Sequence, residues 1–371
     1  MLSFKSEIFR AFQKKESPLD LMSRFGIKIE GLPEGVSESE LWLFLIKIAS
    51  SLERNRNFKK TYIKSIDEVI KLIENSTKIV AIIGAGASVG PDFRSPGGLY
   101  DQISKSGALE DPYKVFDMEY FKQDPSVFWK FAHLIFPTTN PQHSQAHYFL
   151  AELEKRGKLL RVYSQNVDTL EVGIPDDKLR CVHGSWRENK CLQCGKSYSI
   201  EDLRESVDNQ QIPVCKECGG QIKPGIVFFG QKTNIEDEDI IYDSENADLL
   251  IVIGTSLRVS PVSDIPRVMC KTPSILINRE SVHCIFNAEL LGEGDEVILE
   301  VERKLGWNNS NENNENIENQ NTDDANLDKF VFIQPNKFMM KGQDGSSPQF
   351  TETGRSLFII NQSFPGIDIF E

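Results

Sequence analysis

Short apolar runs alternate with stretches of helical periodicity between residues 66 and 305. The runs Ile79–Ile83 and Leu249–Ile253 each end at a glycine, which is typical of strands that are buried on both faces of a parallel sheet. Residues 66–73 repeat their apolar positions with the period of a helix. The same patterns predict helices at 142–156 and 295–305 and strands at 159–163 and 274–278. Strands that alternate with helices predict an α/β fold with a doubly wound parallel sheet.

Composition divides the chain into five parts. An apolar block at 41–48 follows the capping candidates Ser37 and Glu40, so the first part is predicted to be helical. The Asn-rich stretch near residue 315 contains a single Ile and cannot bury enough surface to offset its chain entropy. The predicted parts are a helical N-terminal segment (1–64), a Rossmann-like domain (65–186 and 225–307), an inserted module with four cysteines (187–224), a disordered linker (308–326) and a C-terminal tail (327–371).

The charge balance narrows the choice of partners. The chain has 42 Lys and Arg against 55 Asp and Glu, a formal net charge of −13. Direct nucleic-acid binding is not expected, because phosphate contacts need clustered basic residues, whereas basic protein partners are favoured. The longest strongly apolar run, at 249–253, is far too short to cross a bilayer, and the N-terminus lacks a clean signal-peptide pattern. We therefore expect an intracellular protein without membrane contact.

Four of the seven cysteines form two C-x2-C pairs separated by twenty residues. In an intracellular chain this spacing indicates zinc, and redox pairing of the same thiols is the alternative. With every ligand position filled by a thiolate, the site is structural and holds one ion, while the few apolar residues nearby suggest that metal replaces a core. The predicted metal ligands of this zinc-binding module are Cys191, Cys194, Cys215 and Cys218.

Polar and small residues follow several of the predicted strands. Gln165, Asn166 and Asp168 follow the strand at 159–163, with His183 close downstream. A glycine-rich turn follows the first strand and further small or polar residues follow two others, so all of them meet at the carboxyl edge of the sheet, where dinucleotides bind. These residues are Gly84, Ala85, Gly86, Ser88, Gly254, Thr255, Ser256, Asn278, Arg279 and Glu280.

Taken together, these motifs resemble the sirtuins, a family of NAD-dependent protein-lysine deacylases. The resemblance runs from about residue 41 to 307. Further details are similar to the nuclear, histone-directed branch of the family: Phe116-Asp117-x2-Tyr120-Phe121, Lys158-Leu159-Leu160-Arg161 and Gly306-Trp307. Apolar segments at 330–333 and 337–340 flank a Gln-Pro-Asn turn and predict two strands, which resemble the C-terminal regulatory hairpin of the animal nuclear sirtuin.

The resemblance assigns roles around NAD. It implies that His183 accepts a proton from a ribose hydroxyl, that Asn166 orients ribose and water, and that Asp168 with Asp92 holds the nicotinamide amide. Gln165 would bond the ribose and Phe93 would shield the sugar. The remaining cofactor contacts implied are Gly84, Ala85, Gly86, Ser88 and Arg94 near the phosphates, Gly254, Thr255 and Ser256 at the ribose and phosphate region, and Asn278 and Arg279 towards the adenosine end. Glu280 would bind the adenosine ribose or, as the alternative, cap a turn, and Gly294 is also predicted to bind the cofactor.

The family pairs an acylated peptide with the segment that ends at Gly230. Apolar residues there would line the acyl-lysine tunnel, and a plain core strand is the alternative interpretation of this run. Gln231 stands where relatives usually carry Glu, which removes one attraction for basic peptides. The implied substrate-binding residues are Val227, Phe228, Phe229, Gly230 and Val259.

These expectations describe a nuclear, zinc-containing, NAD-dependent deacetylase acting on acetyl-lysine peptides of histone tails in chromatin silencing, with a cytoplasmic location as the alternative. Its products would be nicotinamide, free lysine and O-acetyl-ADP-ribose. The loop at 89–91 is shorter than in the family and covers the cofactor, so a catalytically weakened silencing scaffold is a rival hypothesis. Removal of longer acyl groups and mono-ADP-ribosyl transfer are the enzymatic alternatives.

Overall fold

The computed structural model describes residues 4–25, 27, 36–55, 61–88, 93, 97–307, 330–334 and 336–340. No helix in these ranges is both long and apolar enough to span a bilayer. The α-helices are α1 (Phe4–Gln13), α2 (Pro18–Arg24), α3 (Glu38–Asn55), α4 (Ile66–Asn75), α5 (Leu99–Ser106), α6 (Met118–Gln123), α7 (Ser126–Phe131), α8 (Gln145–Lys155), α9 (Ile200–Asp208), α10 (Asp237–Asn246), α11 (Ile265–Val268) and α12 (Gly294–Lys304).

Eight strands form the main sheet, in the order β10-β11-β9-β8-β7-β1-β2-β3. Every neighbouring pair is parallel except β10 and β11, which form an antiparallel hairpin. The strands are β1 (Ile79–Ile83), β2 (Leu159–Ser164), β3 (Leu179–Cys181), β7 (Leu249–Ile253), β8 (Ser274–Asn278), β9 (Ala288–Leu291), β10 (Phe330–Gln334) and β11 (Lys337–Met340).

The apolar runs form strands because helices cover both faces of the sheet. All five residues of β1 are buried. Ile79, Ala81 and Ile83 pack with α4, α8 and α12 on one face. Val80 and Ile82 pack with α1, α3, α10 and α11 on the other. The predicted doubly wound α/β fold is confirmed.

The first helices cover one face of this sheet. Helix α3 begins directly after Ser37, whose hydroxyl accepts the Glu40 amide hydrogen while the Glu40 carboxylate accepts from the Ser37 amide. This reciprocal pair caps the helix as its sequence predicts. The apolar block behind it buries Leu41, Trp42 and Leu45 against β7 and α10, so these helices belong to the main core.

The cysteine module has a sheet of its own, in the order β5-β4-β6, with β4 at Asn189–Cys191, β5 at Ser197–Tyr198 and β6 at Ile222–Lys223. Its helix α9 buries Leu203 and Val207 in an aromatic cluster that includes Trp129 and Trp186. The expectation that metal replaces a core is therefore wrong in part, because α9 and α5 to α7 supply an apolar core beside the four thiols.

The tail returns to the main sheet at residue 330. Strand β11 pairs in parallel with β9, matching Phe338 with Leu290. Phe330 and Phe338 are buried in the same core as α8 and α12. The edge of β9 is thereby covered by the hairpin, whereas the predicted linker at 308–326 lies outside the described residues. The five-part domain division remains a prediction.

Candidate active site

A cavity of about 530 Å³ opens at the carboxyl edge of the sheet, between the sheet and the extended segment 226–230. Fourteen of the residues predicted to bind or react line it, and the structure brings them together from seven separate stretches of the chain. They are Ala85, Gly86, Phe93, Gln165, Asn166, His183, Val227, Phe228, Phe229, Gly230, Gly254, Thr255, Ser256 and Val259.

Two glycine turns meet backbone to backbone on the sheet side of this cavity. The Gly86 amide donates to the carbonyl of Gly254 at 2.8 Å. A Cβ on Gly84 would lie 2.6 Å from Cβ of Thr255, and one on Gly254, whose φ is +62°, would lie 2.4 Å from the Ala87 nitrogen. Neither position has room for a side chain. The two turns therefore expose backbone at the point where a phosphate group would approach.

The first turn also has support from behind. Ser144 at the start of α8 donates its hydroxyl hydrogen to the Ala87 carbonyl. His147 Nδ1 accepts the amide hydrogen of Ser144 at 3.1 Å, and its ring is 1% exposed. Burial lowers the pKa of His147 from 6.5 to about 4, so its imidazole is neutral at physiological pH. His147 is thus a helix cap beneath the glycine turn.

Asn166 and Asp168 anchor a hydrogen-bond network at the end of β2. Asn166 Nδ2 donates to the Gly84 carbonyl at 3.1 Å and to Ser88 Oγ at 3.0 Å, which uses both of its amide hydrogens. Ser88 in turn donates to Asp168 Oδ2 at 2.6 Å. The network fixes the Asn166 amide at the cavity wall and holds the end of the glycine turn against β2.

Gln165 presents a donor that has no partner in the described structure. Its side-chain oxygen Oε1 accepts a hydrogen bond from the Thr255 hydroxyl at 3.2 Å, which orients the side-chain amide. Its Nε2 is buried and makes no hydrogen bond within the described residues. A buried amide donor left without an acceptor is costly, and a ligand hydroxyl in the cavity would satisfy it. This group therefore fits a sugar.

The imidazole of His183 is oriented by the backbone of the same polar trio. Its Nδ1 lies 2.8 Å from the backbone carbonyl oxygen of Gln165. A carbonyl can only accept, so Nδ1 carries the hydrogen in the neutral ring and Nε2 is the basic nitrogen. The side chain is half-buried at the cavity wall. This arrangement suits a group that accepts a proton from a bound hydroxyl.

Several predicted cofactor residues lie outside the cavity lining. Asn278 Nδ2 donates to the Glu280 carbonyl at 2.8 Å, and Arg279 pairs with Glu293 at 2.8 Å on the surface, so they form an outer turn after β8. A Cβ on Gly294 would lie 3.8 Å from the carbonyl oxygen of Gly86, which places the start of α12 beside the glycine turn. Asp92 and Arg94, like the short loop at 89–91, lie outside the described residues.

The opposite wall is the segment 226–230, for which a plain core strand was the alternative interpretation. It forms only isolated bridges, of Ile226 with Gly184 and of Phe229 with Asp117. The Val227 amide donates to the His183 carbonyl at 2.7 Å, which ties the segment directly to the polar wall. Phe228 is buried, whereas Phe229 is 56% exposed and Val259 is 38% exposed. An extended apolar segment with exposed side chains at the cavity mouth suits a peptide backbone laid alongside it.

Seven further residues line the cavity without having been predicted as site residues. They are Tyr100, Phe116, Val167, Ile226, Gln231, Thr233 and Ser260. Tyr100 and Phe116 reach it through an aromatic cluster in which Phe116 is centred 5.7 Å from Phe93. Gln231 Oε1 accepts the Phe228 amide hydrogen at 3.0 Å, so it braces the segment from within. The Phe116-Asp117 motif was the available signal for Phe116.

The four predicted metal ligands converge at one end of the module. Their sulfur atoms all lie within 4.8 Å of one another, and Cys191–Cys218 and Cys194–Cys215 are each 3.5 Å apart. None is disulfide-bonded. Tetrahedral zinc with Zn–S bonds of about 2.3 Å separates its sulfur ligands by about 3.8 Å, so the donor set and spacing fit zinc. No open ligand position remains, which fits a structural ion.

Comparison with known proteins agrees with this geometry. A family model described as "Sir2 family" matches residues 84–261. The NAD-dependent protein deacetylase sirtuin-1 of Rattus norvegicus is 40% identical over 288 residues, which are 74% of this chain and 51% of that protein. The NAD-dependent histone deacetylase sirtuin-1 of Drosophila melanogaster is 38% identical over 309 residues, 75% of this chain and 37% of that one.

Yeast and structural relatives give the same result. The NAD-dependent protein deacetylase HST1 of Saccharomyces cerevisiae is 37% identical over 299 residues, 70% of this chain and 58% of that protein. A solved chain from "Structural Basis for the Mechanism and Regulation of Sir2 Enzymes" matches with a TM-score of 0.58 and 28% identity, over 66% of this chain and 98% of that chain. This chain spans about half the length of the rat relative, 51%. Residues 84–261 are a Sir2 family domain.

Proposed function

We propose that this chain is an NAD-dependent protein-lysine deacetylase. One observation carries the proposal: a single cavity joins the glycine turns and polar trio on one wall to an extended apolar segment on the other. The first wall suits a dinucleotide and the second suits an acyl-lysine peptide, so both ligands would meet beside His183. When bound, NAD supplies a nicotinamide leaving group and an ADP-ribosyl acceptor for the acyl group.

The cofactor wall supports NAD through the chain's own groups. Backbone at the close contact of Gly86 with Gly254 admits phosphate, and the helix α12 that begins beside it directs its positive end towards the same turn. The unpartnered Nε2 of Gln165 offers a hydrogen bond to a ribose hydroxyl. Asn166, held by Gly84 and Ser88, keeps its amide at a fixed place against the sugar.

His183 is the proposed general base. Its Nδ1 hydrogen is committed to the Gln165 carbonyl, so Nε2 accepts the proton of the ribose hydroxyl as that oxygen becomes a nucleophile. The same hydrogen bond stabilises the imidazolium once the proton has moved. Asp168 does not take this role, because its carboxylate already accepts from Ser88 and from the Leu170 amide. Each of its two oxygens keeps a further acceptor site for the proposed contact with the nicotinamide amide.

The overall charge of the chain, and not the peptide wall, favours acetylated lysine in basic sequences. Backbone pairing along 226–230 gives little sequence selectivity, and Gln231 is occupied by the Phe228 amide instead of facing a basic side chain. The net charge of −13 nevertheless attracts basic chains. The Drosophila relative, which is named as a histone deacetylase, supports histone tails as substrates, and a nuclear location and a role in chromatin silencing are part of this proposal.

Zinc would stabilise the cysteine module, whose strand β6 leads directly into the peptide wall. The cluster of Cys191, Cys194, Cys215 and Cys218 has no open position, so the ion stabilises the fold and takes no part in acyl transfer. Its loss would free the strand that leads to residue 226.

The test is deacetylation of an acetylated histone peptide by the full chain with NAD, followed by mass spectrometry and nicotinamide release. His183→Ala should lose at least about 100-fold in kcat, since general bases contribute 10²–10⁴-fold. The matched control is His133→Ala, which removes an exposed imidazole far from the cavity and should retain full turnover. Full turnover by His183→Ala would overturn its assignment, and inactivity of the folded wild type would favour a scaffold.

A further inference from the structure

Lys223 buries a positive charge beside the peptide wall. It ends β6 and is only 8% exposed. Its Nζ donates to the carbonyl oxygens of Pro224 at 2.9 Å and Ile226 at 2.6 Å. The same ammonium lies 4.3 Å from the ring centroid of Phe228. Within the described residues it forms no ion pair with a carboxylate, so backbone carbonyls and one aromatic face are what hold it.

The position links three parts of the site. Lys223 lies beside Ile222, which pairs across the sheet with the metal ligand Cys191. Its two acceptors, the carbonyls of Pro224 and Ile226, lie on either side of Gly225, where the chain leaves β6 and enters the peptide wall. Val227, which follows the second acceptor, donates to the His183 carbonyl and lines the cavity. The ammonium therefore fixes the path of the chain from the module to the acyl-lysine wall.

Burying a charge at this position costs free energy, so the need to fill space does not by itself explain why the residue is a lysine. Burial lowers the pKa of Lys223 from 10.5 to about 8, because the charged form is desolvated. An apolar side chain of similar length would fill the same space without that cost, but it would leave two buried carbonyls with one donor fewer each. Charge-assisted hydrogen bonds to those carbonyls are the feature that an apolar residue cannot replace.

We propose that Lys223 is a positioning residue for the acyl-lysine wall, holding residues 226–228 in the extended shape that accepts the peptide. The inference rests on the proposed deacetylase function. It predicts that removing the ammonium weakens peptide use while leaving the NAD wall intact, because Gly86, Gln165 and Thr255 follow strands of the main sheet and lie outside the module.

The test compares Lys223→Met and Lys223→Arg with the wild type. Lys223→Met should raise the peptide KM about tenfold, the effect of about 1.4 kcal/mol, and leave the NAD KM within about twofold. Lys223→Arg keeps a charged donor and should recover most of the loss. The matched control is Lys190→Met, which removes the cross-strand neighbour of Lys223, an exposed ammonium that pairs with Glu188 at 3.6 Å, and should behave as wild type.

Two readouts besides turnover separate positioning from stability. Zinc content should stay at one ion per chain in Lys223→Met, and hydrogen exchange should rise in 224–230 while staying unchanged in 249–256. A peptide KM equal to that of the wild type, or equal rises in both KM values, would overturn the inference. If Lys223→Met does not fold, Lys223→Gln decides by the same criteria. Inactive wild type and Lys190→Met would overturn the proposed function, and this inference with it.

Discussion

The tail hairpin offers a sharp test of how the sheet is completed. Phe338 is 3% exposed and packs in the core shared by β9 and α12. Replacing a fully buried Phe by Ala removes its transfer free energy and leaves a cavity, at a cost of about 3–5 kcal/mol. If the hairpin detached as a unit, the measured loss would be capped by the free energy with which it binds the sheet, so the lower end of this range applies. We therefore expect Phe338→Ala to lower the free energy of unfolding by about 3 kcal/mol.

Urea unfolding of the full chain at fixed zinc measures this loss. Val331→Ala is the matched control, because Val331 is a half-buried hairpin residue that pairs with Met339, and it should cost about 1 kcal/mol or less. Limited proteolysis should release the tail faster in Phe338→Ala than in the control. Equal unfolding curves and equal cleavage rates for the two variants would refute the conclusion that the hairpin is packed into the main core.

Three further predictions follow from the site and its supports. The pKa of His147 is lowered to about 4, so its contribution of about 3 kcal/mol to the free energy of unfolding is complete above pH 6.5 and is lost as the pH falls to 4. When urea unfolding is measured at pH 7 and pH 4.5, the free energy of unfolding should differ less between the two pH values for His147→Asn than for wild type. Cys191→Ser should lose zinc and solubility together, as metal analysis and sedimentation would show, and a soluble, metal-free, active variant would contradict the structural role. Gly254→Ala should abolish NAD binding in calorimetry while the zinc stays bound, since its Cβ would lie 2.4 Å from the Ala87 nitrogen; unchanged affinity would refute the close contact.

The sheet was predictable because its strands are buried on both faces. A run such as Ile79–Ile83 has to be apolar at every position when helices cover both sides, so its pattern differs from that of a surface strand. The glycine turns after β1 and β7 were predictable because only glycine fits where the two turns touch, and glycine is visible in the sequence. Helix starts such as that of α3 were readable from the local capping pair of Ser37 and Glu40.

The rest of the site depends on contacts that no local pattern encodes. Thr233 reaches the cavity from a loop, and Tyr100 reaches it from the first turn of α5, where it packs against Phe116. Residues 226–230 resemble a strand in composition, yet their neighbours are a turn at Gly184 and a loop at Asp117, so a continuous ladder does not form. The guanidinium of Arg279 pairs with Glu293 on the surface, and its contact with the cofactor stays a prediction.

The most direct test of the central claim is the stoichiometry of a single reaction. The purified full chain, NAD and one acetyl-lysine peptide are incubated together. Nicotinamide, the deacetylated peptide and acetylated ADP-ribose are then quantified by mass spectrometry. If the cavity joins both ligands beside His183, the three products form in equal amounts and none forms when NAD or the acetyl group is left out. Deacetylation without NAD, or release of free acetate in place of the acetylated nucleotide, would contradict the account.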